Sequence, residues 1–273
     1  MTDVRDEAGF DAVNRPVWEA TAGKHLIDGW SDPGEMAALL SVSSAVRGQP
    51  ILDLGVGAGR TVPLLRLLSD DYTAIDYTPE MVDLCRNKHP RVDVRVGDAR
   101  DLSEFDDRSQ GFVMFSLNGL DALDHQDRQL VLAEISRVLR PGGIVMFSTL
   151  NKDGPLFGCN PSNAPGITWV PGSLLPVDPS DDSSSPEGRL ARAIVNWRRL
   201  RIVAVDADGW GLAVFAAFEF SLLAHFATVP AQVAELRSHG FEVLSIFPCD
   251  KREPIPVDEP TDTLYFHVTA TRI

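Results

Sequence analysis

The residues with the most chemical content lie between 53 and 98. The string Asp53-Leu-Gly55-Val-Gly57-Ala-Gly59-Arg60 follows the short apolar run Ile51 to Leu54. Three glycines after a buried strand permit a tight turn and let a ligand approach the backbone closely; a plain strand-to-helix turn needs only one. The spacing excludes two phosphate sites. A dinucleotide fingerprint requires Gly or Ala at its last position, and counting from Gly55 or Gly57 puts Arg60 or Val62 there. No Gly-Lys-Ser/Thr follows, so the turn is not a phosphate loop. Asp76 lies 17 residues beyond Gly59, at the end of the next apolar run. A carboxylate there can accept bonds from both hydroxyls of a ribose, and Thr78 is better placed to cap the helix that follows. Asp98, in Val96-Gly97-Asp98-Ala99, ends a third run and faces the place an adenine would take. The three signals point to a nucleoside without a diphosphate, bound across the carboxyl ends of the first strands.

The elements that must position these residues follow from hydrophobic period. Strands are predicted at 51–54, 72–76, 92–96, 111–117 and 144–150, with helices between them, the clearest at 127–139 with Val131, Ile135 and Val138 on one face. Pro141-Gly142-Gly143 ends that helix. Alternating strands and helices predict an α/β, doubly wound parallel sheet with right-handed crossovers. Residues 10–46 read as amphipathic helices broken at Asp32-Pro33-Gly34, with Trp18, Leu26, Ile27, Leu39 and Leu40 as buried candidates. Residues 151–190 are rich in Pro, Gly, Ser and Asp, and 171–190 reads as a lid over the site. Strands at 196–206 and 210–220 form a hairpin through Asp206-Ala207-Asp208-Gly209. A helix at 230–239 and strands at 241–247 and 264–271 complete the chain.

Composition narrows the class of partner. The chain has 273 residues, 44% hydrophobic and 23% charged, which is globular. Its net charge of −14 argues against nucleic acid, whose phosphates need clustered Lys and Arg, and against an anionic membrane surface. The three cysteines are distant and odd in number, so no disulfide framework is indicated. No signal peptide and no run of 18 apolar residues is present, so the expectation is a soluble, cytoplasmic protein.

The strings ILDLGVGAGR, VGDA at 96–99 and LRPGG at 139–143, with Asp76, resemble class I S-adenosylmethionine-dependent methyltransferases of the small-molecule type. The resemblance covers about residues 48–150. It implies a seven-stranded sheet in the order 3-2-1-4-5-7-6 with the last strand antiparallel. It divides the chain into an N-terminal helical cap (1–47), a cofactor-binding core (48–150), an inserted subdomain with a β-hairpin (151–225) and the end of the sheet (226–273). The insertion is expected to shape the substrate pocket or a dimer contact, so a homodimer is one assembly it allows. S-Adenosylmethionine is the implied cofactor. Asp53, Gly55, Gly57 and Gly59 would surround its methionine part and Asp76 its ribose. Tyr77 and Met81 would flank the adenine, and Asp98 and Ala99 would lie at its edge. Phe115, Ser116 and Asn118 would border the sulfonium and the acceptor.

Methyl transfer mainly needs an acceptor atom aligned with the methyl carbon, and an O or N acceptor also loses a proton. Of six histidines, His225 and His125 are the candidate catalytic bases. His225 leads because it follows the apolar stretch 215–223 and should sit, neutral, at the edge of the core; His125 follows the fourth strand. Asp121, Asp124 and Asn151 match no recognisable ligand set, so no metal is expected. Trp18, Trp30, Trp169, Trp197, Trp210, Phe215, Phe218 and Phe220 suggest an apolar or aromatic acceptor pocket, or simple core packing. The reading is transfer of a methyl group to O or N of a small molecule. The alternative keeps the cofactor but not methylation: cyclase-like or decarboxylating chemistry, or sensing.

Overall fold

Ile51–Leu54 (β1) is buried at all four positions, as a strand covered by helices on both faces must be. The computed structural model describes residues 9–21, 31–164 and 186–273. Around β1 lie β2 (Tyr72–Asp76), β3 (Asp93–Val96), β4 (Gln110–Phe115) and β5 (Leu139–Asn151), all parallel, in the order β3-β2-β1-β4-β5. β10 (Tyr265–Arg272) runs antiparallel to β5 and carries β9 (Phe241–Pro248) on its far side. The expected order, with its antiparallel last strand, is therefore present.

Alternation along each strand divides the core. Leu52, Leu54, Val113 and Phe147 face α5 (His125–Val138) and α7 (Val229–Ser238). Ile51, Phe112, Met114 and Met146 face α2 (Pro33–Val46) and α4 (Pro79–Lys88). In α2, Ala38, Leu39, Val42 and Val46 point inward, while Leu40 is 65% exposed, because a helix can bury only the residues on one side. Of the two N-terminal helices, only α1 (Phe10–Thr21) reaches the residues that follow β4; α2 belongs to the sheet's covering layer.

The region after β5 departs from expectation. Residues 196–206 are not a hairpin strand. α6 (Pro186–Leu200) runs through the first part of that stretch, to Leu200, followed by a 3-10 turn at Arg201–Val203. The alternation Leu200-Arg-Ile-Val suggests period two, but Ala193, Trp197 and Leu200 keep helical spacing and pack inward together. Only Val205–Asp206 (β6) pairs with β7 (Trp210–Phe215). The chain then reverses through Phe218, Glu219 and Phe220, all at positive φ. The return strand β8 (Leu222–Ala227) is not legible in the sequence, because its unbroken apolar run carries no alternation. β8 pairs with β7 along its length and, through Phe226 and Ala227, with Leu150 and Asn151 at the end of β5. Among the described residues the sheet thus has the seven expected strands and, joined to them at the end of β5, the three strands β6, β7 and β8.

Candidate functional site

The carboxyl ends of β1, β2 and β3 are laced together by backbone bonds. The Val56 N–H donates to Ile75 O (3.1 Å) and the Gly97 N–H to Asp76 O (3.0 Å). At β1, the next strand in sequence lies on one side and β4 on the other, so a crevice opens where the order reverses, the usual ligand position in such sheets. Gly57 sits at φ +55°, and a Cβ there would meet no atom within 4 Å, so a ligand can lie directly on the backbone. Its N–H donates to Asp76 Oδ2 (2.9 Å), while Asp76 Oδ1 accepts from the Thr78 N–H (2.8 Å). The Thr78 side chain, expected to cap the following helix, makes no cap bond there. Burial pushes the Asp76 carboxyl up, against these two bonds.

The cleft beside this turn is lined by Gly55, Tyr77, Asp98, Ala99 and Phe115 among the expected residues, with Gly119 and Leu123 beyond them. Asp11 and Arg100 also line it, and neither was expected. Arg100 binds Asp98, Asp11 and Asp127, each at 2.6 Å. Against the upward push of burial, this guanidinium holds the Asp98 carboxyl below its usual range. Arg15, one turn beyond Asp11, lies over the Tyr77 ring at 4.4 Å. α1 therefore covers the cleft through two charged residues on one helical face. Asn14, on the same helix and 1% exposed, donates to Ala122 O (2.9 Å) and Leu223 O (3.0 Å) and accepts from the Leu223 N–H (3.0 Å).

Other expected residues lie behind the lining. Asp53 is fully buried, with Oδ2 accepting from Thr61 and Tyr72 and Oδ1 without a partner; burial pushes its carboxyl up to about 6. Gly59 packs on His89 and Cys85, where a Cβ would come within 2.6 Å of the His89 ring. Met81 is buried in α4. The Asn118 N–H donates to Ser148 Oγ (2.7 Å), and its buried Oδ1 has no partner; Ser116 is half-buried beside it. An open glycine cradle, a buried carboxylate ending β2 and two unpartnered buried oxygens suit a nucleoside carrying an amino acid.

The two candidate histidines meet. His125 Nδ1 lies 3.1 Å from His225 Nε2. The Trp210 ring stacks on His125 at 3.9 Å, nearly parallel. His225 lies inside β8, 1% exposed, and its Nδ1 has no partner. Burial, aided by Arg128 and His125, pushes its pKa down to about 2. It stays neutral, but it is a weak base sealed from ligands rather than one at the edge of the core. His125, half-buried at the start of α5, is the more accessible member; burial lowers its pKa too. Behind the pair, the fully buried Arg128 binds Asp121 (2.7 Å) and Glu235 (3.0 Å). Asp124 caps α5 and Asn151 donates to backbone carbonyls, so the side chains once weighed as a metal set are held in separate bonds.

A cavity of about 790 Å³ lies between α1 and residues 199–212, with Phe10, Val13, Leu200, Val203, Leu212 and Leu223 in its walls. Its lining is mainly aliphatic. The expected aromatics are placed elsewhere: Phe220 is buried in the core and Phe218 packs edge-on against Trp18. His25, Leu26, Ile27, Trp30, Trp169 and residues 171–185 of the lid expected over 171–190 lie outside the described residues, while 186–190 begin α6. Among the described residues, no helix is long and apolar enough to cross a membrane.

Residues 51–143 match the family described as a methyltransferase domain. A Mycolicibacterium smegmatis protein assigned to the S-adenosylmethionine-dependent methyltransferases is 29% identical over 133 residues, 48% of this chain and 44% of that one. A malonyl-[acyl-carrier protein] O-methyltransferase of Serratia marcescens is 34% identical over 119 residues, 44% of each chain. The chain thus spans less than half the length of these curated relatives. The crystal structure of Burkholderia thailandensis 1,6-didemethyltoxoflavin-N1-methyltransferase, which holds its substrate and S-adenosylhomocysteine, superposes with a TM-score of 0.59 at 17% identity. That match covers 96% of this chain and 88% of the other, and it shows a shared fold. Residues 51–143 are thus similar in sequence to a methyltransferase domain, within a fold shared with a methyltransferase of known structure.

Proposed function

We propose that the whole chain is an S-adenosylmethionine-dependent methyltransferase acting on an oxygen or nitrogen of a small molecule with an apolar body. The observation that carries this reading is the cradle at Gly57, open to a ligand and tied to the Asp76 carboxylate where the strand order reverses. The acidic balance, −14, supports a small acceptor over nucleic acid.

When bound, S-adenosylmethionine supplies an electrophilic methyl group on a positively charged sulfur. Asp76 would accept from the ribose hydroxyls, with Tyr77, Ala99 and Asp98 around the base. Gly55 and Asn118 would hold the amino-acid part with Asp53 behind them, and Phe115 would close the cleft toward the acceptor. Of the histidine pair, His125 is the better base. With its Nδ1–H donated to His225 Nε2, its Nε2 takes the proton of the acceptor. The acceptor atom would take that methyl group, with its own proton held by His125 and the bonding pair left to sulfur. Alignment by the cleft carries much of the rate.

Calorimetry with S-adenosylhomocysteine tests the site. Asp76→Ala should weaken binding by about 10- to 150-fold, the cost of losing charge-assisted bonds worth about 1.5–3 kcal/mol. Equal affinity in the variant would remove the ribose assignment. Incubating the protein with a metabolite extract and methyl-deuterated cofactor should yield a labelled product by mass spectrometry. Product formation with the cofactor returned unchanged would point instead to the non-methylating reading.

A further inference from the structure

The cavity beside α1 and the histidine pair share one surface. β7 and β8 pair with Leu212 opposite His225 and Val214 opposite Leu223. Directly opposite residues in an antiparallel pair point to the same face, and side chains two apart along a strand do as well. Trp210, Leu212, Leu223 and His225 therefore share a face. Leu212 and Leu223 line the cavity, while Trp210 carries the stacked His125 ring. Asp124, the residue before His125, also borders the cavity, and the preceding Leu123 borders the nucleoside cleft. The cavity thus reaches the residue before His125, and the cleft reaches the residue before that.

Its chemistry limits the occupant. The volume lies within the ordinary range for small-molecule sites, roughly 300–1,000 Å³. Among the described residues, only Asp124 and Arg199 contribute charge to its lining. The Asp124 carboxylate is engaged by the Asp127 N–H (2.8 Å), and Arg199 is exposed. An ammonium group placed among the aliphatic walls would lose its hydration with no dedicated carboxylate to replace it. A neutral hydroxyl pays far less, and His125 stands at the end of the face to receive its proton.

We infer that the β7–β8 face between α1 and residues 199–205 is the acceptor site, and that it takes an uncharged apolar molecule presenting a phenol-like hydroxyl to His125. This rests on the methyltransferase reading and narrows it to oxygen acceptors.

Binding of 2-naphthol and of 2-naphthylmethylamine, which is protonated at neutral pH, tests the site by calorimetry on the full chain saturated with S-adenosylhomocysteine. The naphthol should bind at least about tenfold more tightly than the amine. Ile202→Glu, at a lining position that is 59% exposed, places charge on the rim without disturbing the core. Val203→Trp fills the cavity. Each should weaken naphthol about tenfold or more while S-adenosylhomocysteine affinity stays unchanged. Naphthol binding equally well to both variants, or the amine binding better, would overturn the inference. Absence of S-adenosylhomocysteine binding to the unaltered chain would overturn the underlying reading instead; naphthol titrated alone would still decide whether the cavity is a site.

Discussion

His125 and His225 form one contact between an accessible ring and a sealed one. Burial lowers the His125 pKa; Glu235 and Asp124 act upward and Arg128 downward. A base with a lowered pKa stays deprotonated further into acid. Turnover should therefore hold level through the ordinary histidine range, near 6.5, and fall only at lower pH. His125→Ala should reduce turnover about 10²- to 10⁴-fold and leave S-adenosylhomocysteine affinity unchanged. A rate profile from about pH 5 to 8 on both proteins checks this. His225 affects stability in a determinate direction. Its pKa is about 2 when folded against an ordinary 6.5, so below pH 6.5 the unfolded chain binds the extra proton. Its contribution is full above pH 6.5 and declines as pH falls toward 2. The loss is at most about 1.4 kcal/mol per pH unit, or about 2 kcal/mol between pH 7 and 5. His225→Asn should flatten the acid limb of stability measured by denaturant titration; an unchanged slope would mean the histidine is not neutral and buried in solution.

At the scale of elements, α1 is held by polar bonds more than by its apolar face. Asn14 bridges it to the turn after β4 and to β8. Asp11 and Arg15 reach Arg100 and Tyr77 across the cleft. Asn14→Ala leaves a buried N–H and two carbonyls without their partner, a cost of about 2–3 kcal/mol. The expected result is faster hydrogen exchange throughout α1 and β8, with β1 and β4 protected as before. Nothing in the sequence marks Asn14, because its partners are backbone atoms 108 and 209 residues away. β8 was hidden for a related reason: all six residues are buried, so apart from His225 both faces of the strand are apolar.

For the molecule as a whole, the acidic surface and the nucleoside cleft give opposite answers for two common ligands. S-Adenosylhomocysteine at about 100 times its dissociation constant should add about 2.7 kcal/mol to stability. For a chain of this size that raises the melting temperature by roughly 5–10 °C. NAD should give no shift, since the turn after β1 lacks the glycine or alanine that a dinucleotide needs at Arg60 or Val62. A thermal scan with each ligand separates the two.

The parallel half of the sheet and its cradle were legible because they are written locally. Alternating periods define β1 to β5, and the glycines, Asp76 and Asp98 sit at strand ends where spacing alone places them. The histidine pair was not legible as a pair. His125 and His225 were each visible, but their 3.1 Å contact depends on β8 joining the sheet beyond the end of β4. The ranking of the two reversed for the same reason: burial from all sides, which sets which nitrogen stays accessible and which pKa falls furthest, is a property of packing. The helix at 186–200 shows the local limit, since a short stretch with period two at its end masked a longer one with helical period. Local hydrophobic spacing thus determined the core fold and the cleft at the strand ends; tertiary packing decided the histidine pair and the cavity beside α1, because β8 must join the end of β5 before His225 meets His125, 100 residues earlier in the chain.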